Sequence, residues 1–161
     1  MHPPVFEQTA AYLAELGFRT VAHDFARPWG GFFVIDEAQI RPFAEKYFPH
    51  LADSLPKDRK LSPKILMVAP NKRLSWQYHF RRAEVWRVVS GPVAVAQSDT
   101  DAEQPPNVYE TGAFITLKQG ERHRLMGLEG WGIVAEIWQH TDPENPSDEG
   151  DIVRVQDDFS R

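Results

Sequence analysis

The chain has 161 residues, 42% hydrophobic and 12% aromatic, which suffices for one globular domain with a buried core and excludes a multidomain machine. Its 18 Lys and Arg against 23 Asp and Glu give a formal net charge of −5, so no global positive field attracts nucleic acid or an anionic membrane. Because the sequence contains no cysteine, disulfides and thiolate chemistry are excluded, and any metal site must use nitrogen and oxygen ligands.

Two helices are predicted in the first third of the chain. Residues 4 to 17 carry apolar side chains at helical spacing and end at Gly17, a suitable C-cap. Residues 40 to 48 repeat the pattern and stop before Pro49. No stretch approaches the roughly 18 apolar residues of a membrane span, and the N-terminus lacks a basic segment followed by an apolar run. We therefore expect a cytoplasmic protein with no membrane partner.

From residue 63 onward the pattern changes to short β-like runs separated by turn residues. The runs are KILMVAP, LSWQYHF, AEVWRVVSG, VAVAQ, AFITL, HRLMGL and WGIVAEIWQ. Strands at intervals of about 8–12 residues are typical of an all-β sandwich or barrel. Two polar, proline-rich segments, SDTDAEQPPN and HTDPENPSDEG, are predicted to be surface loops within a single domain.

Two imidazoles, one carboxylate and one amide are spaced so that such a fold can bring them together. Gln77 and His79 lie two residues apart on a predicted strand and therefore share a face. A turn after His79 lets the next strand carry Glu84 back alongside them, and His123 opens a later strand. This donor set predicts one divalent metal ion with open positions for a substrate; we expect zinc, with iron, manganese, cobalt or nickel as alternatives.

Several charged side chains near these positions are candidates for substrate contacts. Arg82 and Arg124 lie within two residues of predicted ligands, where a guanidinium group can bind a phosphate through two hydrogen bonds. Arg73 and Lys72 are further candidates, and an ordinary solvated rim is the alternative for all four. Glu136 lies among apolar residues, so it is either the partner of a strand arginine or a group with a chemical role.

The order Gln77, His79, Glu84, Gly91 and then His123 resembles the two motifs of the cupin superfamily, with Gln77 in the first histidine position. The flanking residues narrow this resemblance to the type II phosphomannose isomerases, which carry strings such as RLSLQMHHHRAEHWVVVSG where this chain has RLSWQYHFRRAEVWRVVSG. Three further strings are similar to family signatures: RPWG at 27–30, GERHRL at 120–125 and GDIVRVQDDFSR at 150–161.

The resemblance implies a cupin jelly-roll barrel, also called a double-stranded β-helix, over residues 27–161. An N-terminal helical extension covers 1–26, and a short helical insertion lies near 37–62. It also implies a metal-dependent aldose–ketose isomerase for a sugar phosphate. For that reaction we take Arg82 and Glu136 as the candidate catalytic residues, with Glu136 as the base because a metal-bound carboxylate is a poor one. A metal-bound hydroxide is the alternative base. Because cupins commonly dimerise, we expect a homodimer.

Departures from the family strings leave other functions open. Phe80 and Arg81 replace two family histidines, and Gly127 replaces an asparagine. The sugar can therefore be mannose or another hexose, a pentose or a heptose phosphate. A cupin that binds a sugar or nucleotide sugar without turnover is one alternative function. An iron-dependent dioxygenase, which uses the same ligand types, is another.

Overall fold

The computed structural model describes residues 2–159, so the last two residues of the tail string, Ser160 and Arg161, lie outside it. Helix α1 spans Pro4–Glu15 and α2 spans Ile40–Tyr47, with short 3-10 turns at Glu37–Gln39 and Ala52–Ser54. The strands are β1 Thr20–Arg27, β2 Gly30–Ile35, β3 Lys64–Val68, β4 Trp76–Tyr78, β5 Arg82–Ser90, β6 Val93–Ser98, β7 Asn107–Tyr109, β8 Phe114–Leu117, β9 Arg122–Gly127, β10 Gly132–His140 and β11 Val153–Gln156.

The strands form two antiparallel sheets that face each other. The larger sheet has the order β1-β2-β3-β10-β5-β8, and the smaller has the order β11-β4-β9-β6-β7. Consecutive strands such as β4 and β5 lie in different sheets, so the chain crosses repeatedly from one layer to the other, as in a jelly roll. The predicted all-β jelly roll with small added helices is confirmed.

Four of the described strands were not predicted from the sequence, and for three of them their exposure explains why. Strand β1 is an edge strand with exposed or half-buried residues throughout, so it lacks the alternation that marks a half-buried strand. Strands β7 and β11 are three and four residues long and mostly exposed. Strand β2 forms a hairpin with β1, in which Arg27 pairs with Gly30. A Cβ at Gly30 would collide with the carbonyl oxygen of Met67 on β3, so only glycine fits there.

Two apolar clusters hold the layers together. One joins the two helices to the larger sheet and includes Leu13, Phe43 and Phe48, which are fully buried. The other lies between the sheets and includes Trp86, Val95 and Leu125. Burying each large side chain contributes roughly 1.5–3 kcal/mol, so the helices are part of the core of the domain. Within residues 2–159, the structure shows no helix long and apolar enough to cross a membrane.

Candidate metal centre

A cavity of about 240 Å³ opens between the two sheets. Its lining includes side chains from both layers: Gln77, His79, Arg82, Glu84, Trp86 and Glu136. The strands aim these groups inward by alternation, because Arg82, Glu84 and Trp86 are every second residue of β5 and all three are buried. Across the cavity, β4 pairs with β9 so that Gln77 lies opposite His123.

Three of the predicted ligands form a compact cluster, and two of them, His79 and Glu84, line the cavity. The Nε2 atoms of His79 and His123 lie 3.5 and 3.3 Å from the same carboxylate oxygen, Oε1 of Glu84. One ligand atom from each of the three residues lies within 4.8 Å of the others, and all three residues are buried. The three residues come from the segment after β4, from β5 and from β9, so only the folded chain brings them together.

The hydrogen bonds of the two histidines leave one nitrogen of each ring free to bind a cation. The Nδ1–H of His79 donates to the carbonyl oxygen of Asp151 at 2.6 Å, and that of His123 donates to the carbonyl oxygen of Glu121 at 3.2 Å. Each Nε2 atom is then left to present a lone pair toward Glu84. Neither Nε2 atom has a hydrogen-bond partner within the described part of the chain. Buried, unpartnered imidazole nitrogens beside a carboxylate fit a divalent metal ion.

The charges of the cluster show what a metal ion would displace. Burial by itself would raise the pKa of Glu84, but the charge of His79 and the closeness of both imidazoles hold that pKa well below its ordinary value. Burial lowers the pKa of His79, but the Glu84 carboxylate outweighs it and leaves that pKa raised. Without a metal, a proton on His79 can therefore balance the Glu84 charge. Metal and proton compete for this imidazole, so metal affinity should rise with pH.

Gln77 stands beside the cluster as predicted, with its side chain on the cavity. Its Oε1 accepts a hydrogen bond from the Ser75 hydroxyl at 3.2 Å, which orients the amide. Its role as a fourth ligand stays a prediction.

Glu136 on β10 is buried and borders the same cavity. Its Oε1 accepts a hydrogen bond from the Trp86 indole at 2.8 Å. Burial, and then the nearby charge of Glu84, raise the pKa of Glu136 to about 7. A carboxyl with that pKa can both hold and release a proton near neutrality.

Arg82 borders the cavity and is held in place by several groups. Its Nε donates to Oε2 of Glu84 at 3.2 Å, and its Nη1 donates to the Ser147 hydroxyl and the Asp148 carbonyl, both at 2.9 Å. Its guanidinium carbon lies 4.0 Å from the centroid of the Trp138 ring. Arg82 therefore orients the Glu84 carboxylate while presenting positive charge to the cavity.

The other three candidate phosphate contacts lie away from the cavity lining. Arg124 follows His123 on β9 and therefore points to the opposite face, where it is fully buried and donates to Leu74, Glu103 and Gln156. Proximity in sequence to a ligand was a misleading criterion for this arginine. Arg73 forms a double hydrogen bond with Asp158, at 2.6 and 2.8 Å, and Lys72 is exposed.

Several cavity residues were missed by sequence reasoning. Arg27, Lys64, Glu149 and Arg154 border the cavity, although only Arg27 and Arg154 stood in recognised strings, RPWG and GDIVRVQDDFSR. Asp151 was also missed, although it stands in the string GDIVR. Its carboxylate accepts hydrogen bonds from the backbone N–H groups of residues 80 and 81 and from Ser147. Through its own carbonyl it also orients His79.

The two substituted family histidines do not border the cavity. Phe80 is 57% exposed. Arg81 donates to Asn145 and to the carbonyl oxygen of Pro146 on the loop after β10. These departures from the family string therefore change the rim of the fold and leave the cluster of three ligands intact.

Comparisons with known proteins agree with this architecture. The family described as "Mannose-6-phosphate isomerase C-terminal" matches residues 40–157, which is more than half of the chain. This match begins inside the segment 37–62 that the sequence interpretation treats as an insertion. No curated protein matches the sequence.

Among solved structures, the fold is similar to the capsular polysaccharide assembling protein CapF from Staphylococcus aureus, at 12% identity and a TM-score of 0.57. The similarity covers 86% of this chain and 34% of CapF, so the chain spans about a third of that protein. The CENP-C "cumin" domain of Drosophila melanogaster is also similar, at 10% identity and a TM-score of 0.51, over 76% of this chain and 72% of that one. At these identities the likeness concerns the fold.

Proposed function

The chain belongs to the mannose-6-phosphate isomerase C-terminal family of cupin domains, and from this membership and the cavity we propose that it is a metal-dependent aldose–ketose isomerase acting on a sugar phosphate. The proposed substrate is mannose 6-phosphate or another hexose, pentose or heptose phosphate. The observation that carries the proposal is the position of Glu136, a carboxyl with a pKa of about 7, in the cavity that His79 and Glu84 of the ligand cluster also line.

Aldose–ketose isomerisation moves a proton between adjacent carbons. It therefore needs an electrophile at the carbonyl oxygen and a base at the neighbouring C–H. A divalent ion held by His79, Glu84 and His123, with Gln77 as the proposed fourth ligand, would polarise the substrate carbonyl and make the neighbouring C–H more acidic. Zinc is the proposed ion, because two imidazoles and a carboxylate suit it. The two backbone carbonyls that accept from the histidine Nδ1–H groups would keep both Nε2 atoms directed at the ion.

Glu136 is the proposed base. Its carboxylate would take the proton from C2 of the aldose, which gives a cis-enediolate, and the carboxyl, after exchange of that proton with solvent, would deliver a proton to C1 while the hydroxyl proton moves from O2 to O1. The Trp86 indole fixes one carboxyl oxygen of Glu136. The positive charge of a bound ion would lower the pKa of Glu136 and favour its ionised, basic form. Glu84 is unsuited to this step because a bound ion would engage its lone pairs and because its pKa is depressed.

Arg82 has two proposed roles. It holds Glu84 in the ligand orientation through the Nε contact, and it contributes positive charge that favours an anionic substrate near the cluster. Negative charge that develops on the substrate oxygens is stabilised by the same group.

The test is to incubate the metal-loaded protein with a panel of hexose, pentose and heptose phosphates in deuterated water and follow them by NMR. We expect conversion of at least one aldose to its ketose, with deuterium appearing at the carbon that receives the proton. The Glu136→Gln variant should bind the same metal and lose at least about a hundredfold of the rate, the size of a lost general base. Absence of conversion and of deuterium incorporation across the panel would reject the isomerase.

One observation favours a second candidate function. Two histidines and one carboxylate with open positions also form the facial triad of non-haem iron oxygenases. Oxygen uptake by the Fe(II)-loaded protein in the presence of a substrate would support a dioxygenase, whereas isomerisation without oxygen consumption would exclude it.

We also propose that the protein is a homodimer, as is common among cupins. Light scattering that shows only a monomer at micromolar concentration would contradict this.

A further inference from the structure

A half-buried lysine that the isomerase mechanism does not use lines the same cavity. Lys64 begins β3, and its side chain is 11% exposed. Its Nζ lies 5.2 Å from the centroid of the Trp138 ring and 5.8 Å from that of Phe32. These rings hold the ammonium group by cation–π contact, so the charge is positioned before any ligand arrives.

A second cation approaches the same indole. The Arg82 guanidinium carbon lies 4.0 Å from the Trp138 ring centroid, so one aromatic ring positions both Lys64 and Arg82. Both cations border the cavity, and both act electrostatically on Glu136 at its inner side. The pair therefore lies close to the proposed base and to the metal cluster.

The Lys64 ammonium is covered by a carboxylate from an exposed turn. Both oxygens of Glu149 accept hydrogen bonds from Lys64 Nζ, at 2.9 and 3.1 Å. The Glu149 side chain is 62% exposed, whereas that of Glu84 in the ligand cluster is 3% exposed. The charges of Lys64, Arg82 and Lys60 all act on Glu149, so its carboxylate lies where positive fields from three side chains converge.

We infer that Lys64 and Arg82 form a phosphate-binding subsite at the mouth of the cavity, and that the Glu149 carboxylate occupies this subsite until the phosphate of a substrate displaces it. The inference rests on the proposed function for its choice of a sugar phosphate. Beyond that function, the inference names the residues that recognise the phosphate, and it identifies the Glu149 carboxylate as an anion that competes with the phosphate for them.

Physical chemistry favours the exchange. A phosphate monoester carries close to two negative charges at pH 7.5 and offers three strong acceptor oxygens, whereas Glu149 carries one charge and two oxygens. The exchange requires a rotation of an exposed, flexible side chain and no movement of the sheets. Because the ring contacts already order Lys64, little conformational entropy is lost when the anion binds. Glu149 would also keep a buried ammonium paired when the subsite holds no substrate.

The test measures binding of inorganic phosphate to the metal-loaded protein by isothermal titration calorimetry at pH 7.5. The variant Glu149→Gln removes the competing charge and should bind phosphate at least about fivefold more tightly than the wild type. The variant Lys64→Met should lose at least about tenfold in affinity, and Lys64→Arg should retain most of it. The control Lys72→Met removes an equal charge outside the cavity and should bind as the wild type does.

Two results would overturn the inference. One is an unchanged or weaker phosphate affinity in Glu149→Gln, and the other is full phosphate affinity in a folded Lys64→Met protein. Acetate is the comparison anion, and acetate binding as tight as phosphate binding would also reject a phosphate subsite. Thermal melting of each variant verifies its fold, and Glu149→Gln keeps the test valid if Lys64→Met does not fold. The calorimetry needs no turnover, so the two proposals are tested separately. The phosphate subsite can be rejected while isomerisation is observed, and the isomerase can be rejected while phosphate binding follows the predicted pattern.

Discussion

The carboxyl of Glu136 should make the metal-free protein less stable as the pH rises, and replacing it with glutamine should remove that dependence. Burial and the neighbouring Glu84 raise its pKa from an ordinary value of 4.5 to about 7. Between these two values the folded protein holds a proton that the unfolded chain has released. Stability contributed by the neutral carboxyl is therefore fully present below about pH 4.5 and is lost as the pH rises through 7.

The size of the effect follows from the same two pKa values. At about 1.4 kcal/mol per pKa unit, ionising Glu136 in the folded protein costs on the order of 3 kcal/mol in total. Part of the loss has already occurred at pH 5, so the wild type should lose roughly 2 kcal/mol of unfolding free energy between pH 5 and pH 8 through this group. In Glu136→Gln the amide oxygen can still accept from the Trp86 indole, so packing is retained.

The assay is urea unfolding of both proteins after metal removal, at pH 5, 6, 7 and 8. Between pH 5 and pH 8 the unfolding free energy of the wild type should fall by roughly 2 kcal/mol more than that of the variant. The variant therefore becomes more stable relative to the wild type as the pH rises. Groups common to both proteins, such as His79, cancel in the comparison to first order. Parallel pH profiles for the two proteins would refute the assignment of a raised pKa to Glu136.

Three further predictions test the site and the packing. His123→Ala should abolish stoichiometric metal binding, measured by elemental analysis of the purified protein. The control His23→Ala, at an exposed histidine, should keep its metal, and full metal retention in His123→Ala would refute the proposed ligand set. Gly127→Asn, which restores the family residue, should destabilise the protein by about 3 kcal/mol or more in urea unfolding, because its Cβ would collide with the carbonyl oxygen of Ala69. Phe43→Ala should cost about 3–5 kcal/mol in the same assay because this ring is fully buried, and Phe43→Leu should cost less; a cost near zero would mean that α2 is not part of the core.

The cluster of candidate metal ligands could be predicted from sequence because two regularities place its residues. Residues two apart on a strand share a face, and the order of donors matched a known family pattern. Gln77 and His79 border the cavity as that argument requires, and Glu84 meets both histidines. The short step from His79 to Glu84 was interpreted as a turn between neighbouring strands. In the structure it carries the chain from the smaller sheet to the larger one, and the ligands converge across the gap between them.

The charged groups around the ligands were harder to predict, because nearness in sequence is a poor guide to direction on a strand. Arg124 is adjacent to a ligand and therefore points away from it, whereas Arg82, two residues from Glu84, points into the cavity. Lys64 lies thirteen residues before the nearest predicted ligand, and Glu149 lies in a loop that composition marks as ordinary surface. They meet because β3 and the segment before β11 border the same opening.

The amino-acid sequence by itself determined the all-β class, the nitrogen and oxygen character of any metal site, and the three residues that cluster as candidate ligands. Those properties follow from residue type and from the two-residue period of a strand, which are local. Only the tertiary structure decided which cations face the cavity, that Glu136 is partnered by an indole and held near pKa 7, and that a loop carboxylate covers Lys64. Those properties depend on the packing of two sheets and on burial, so they arise between residues that are distant along the chain.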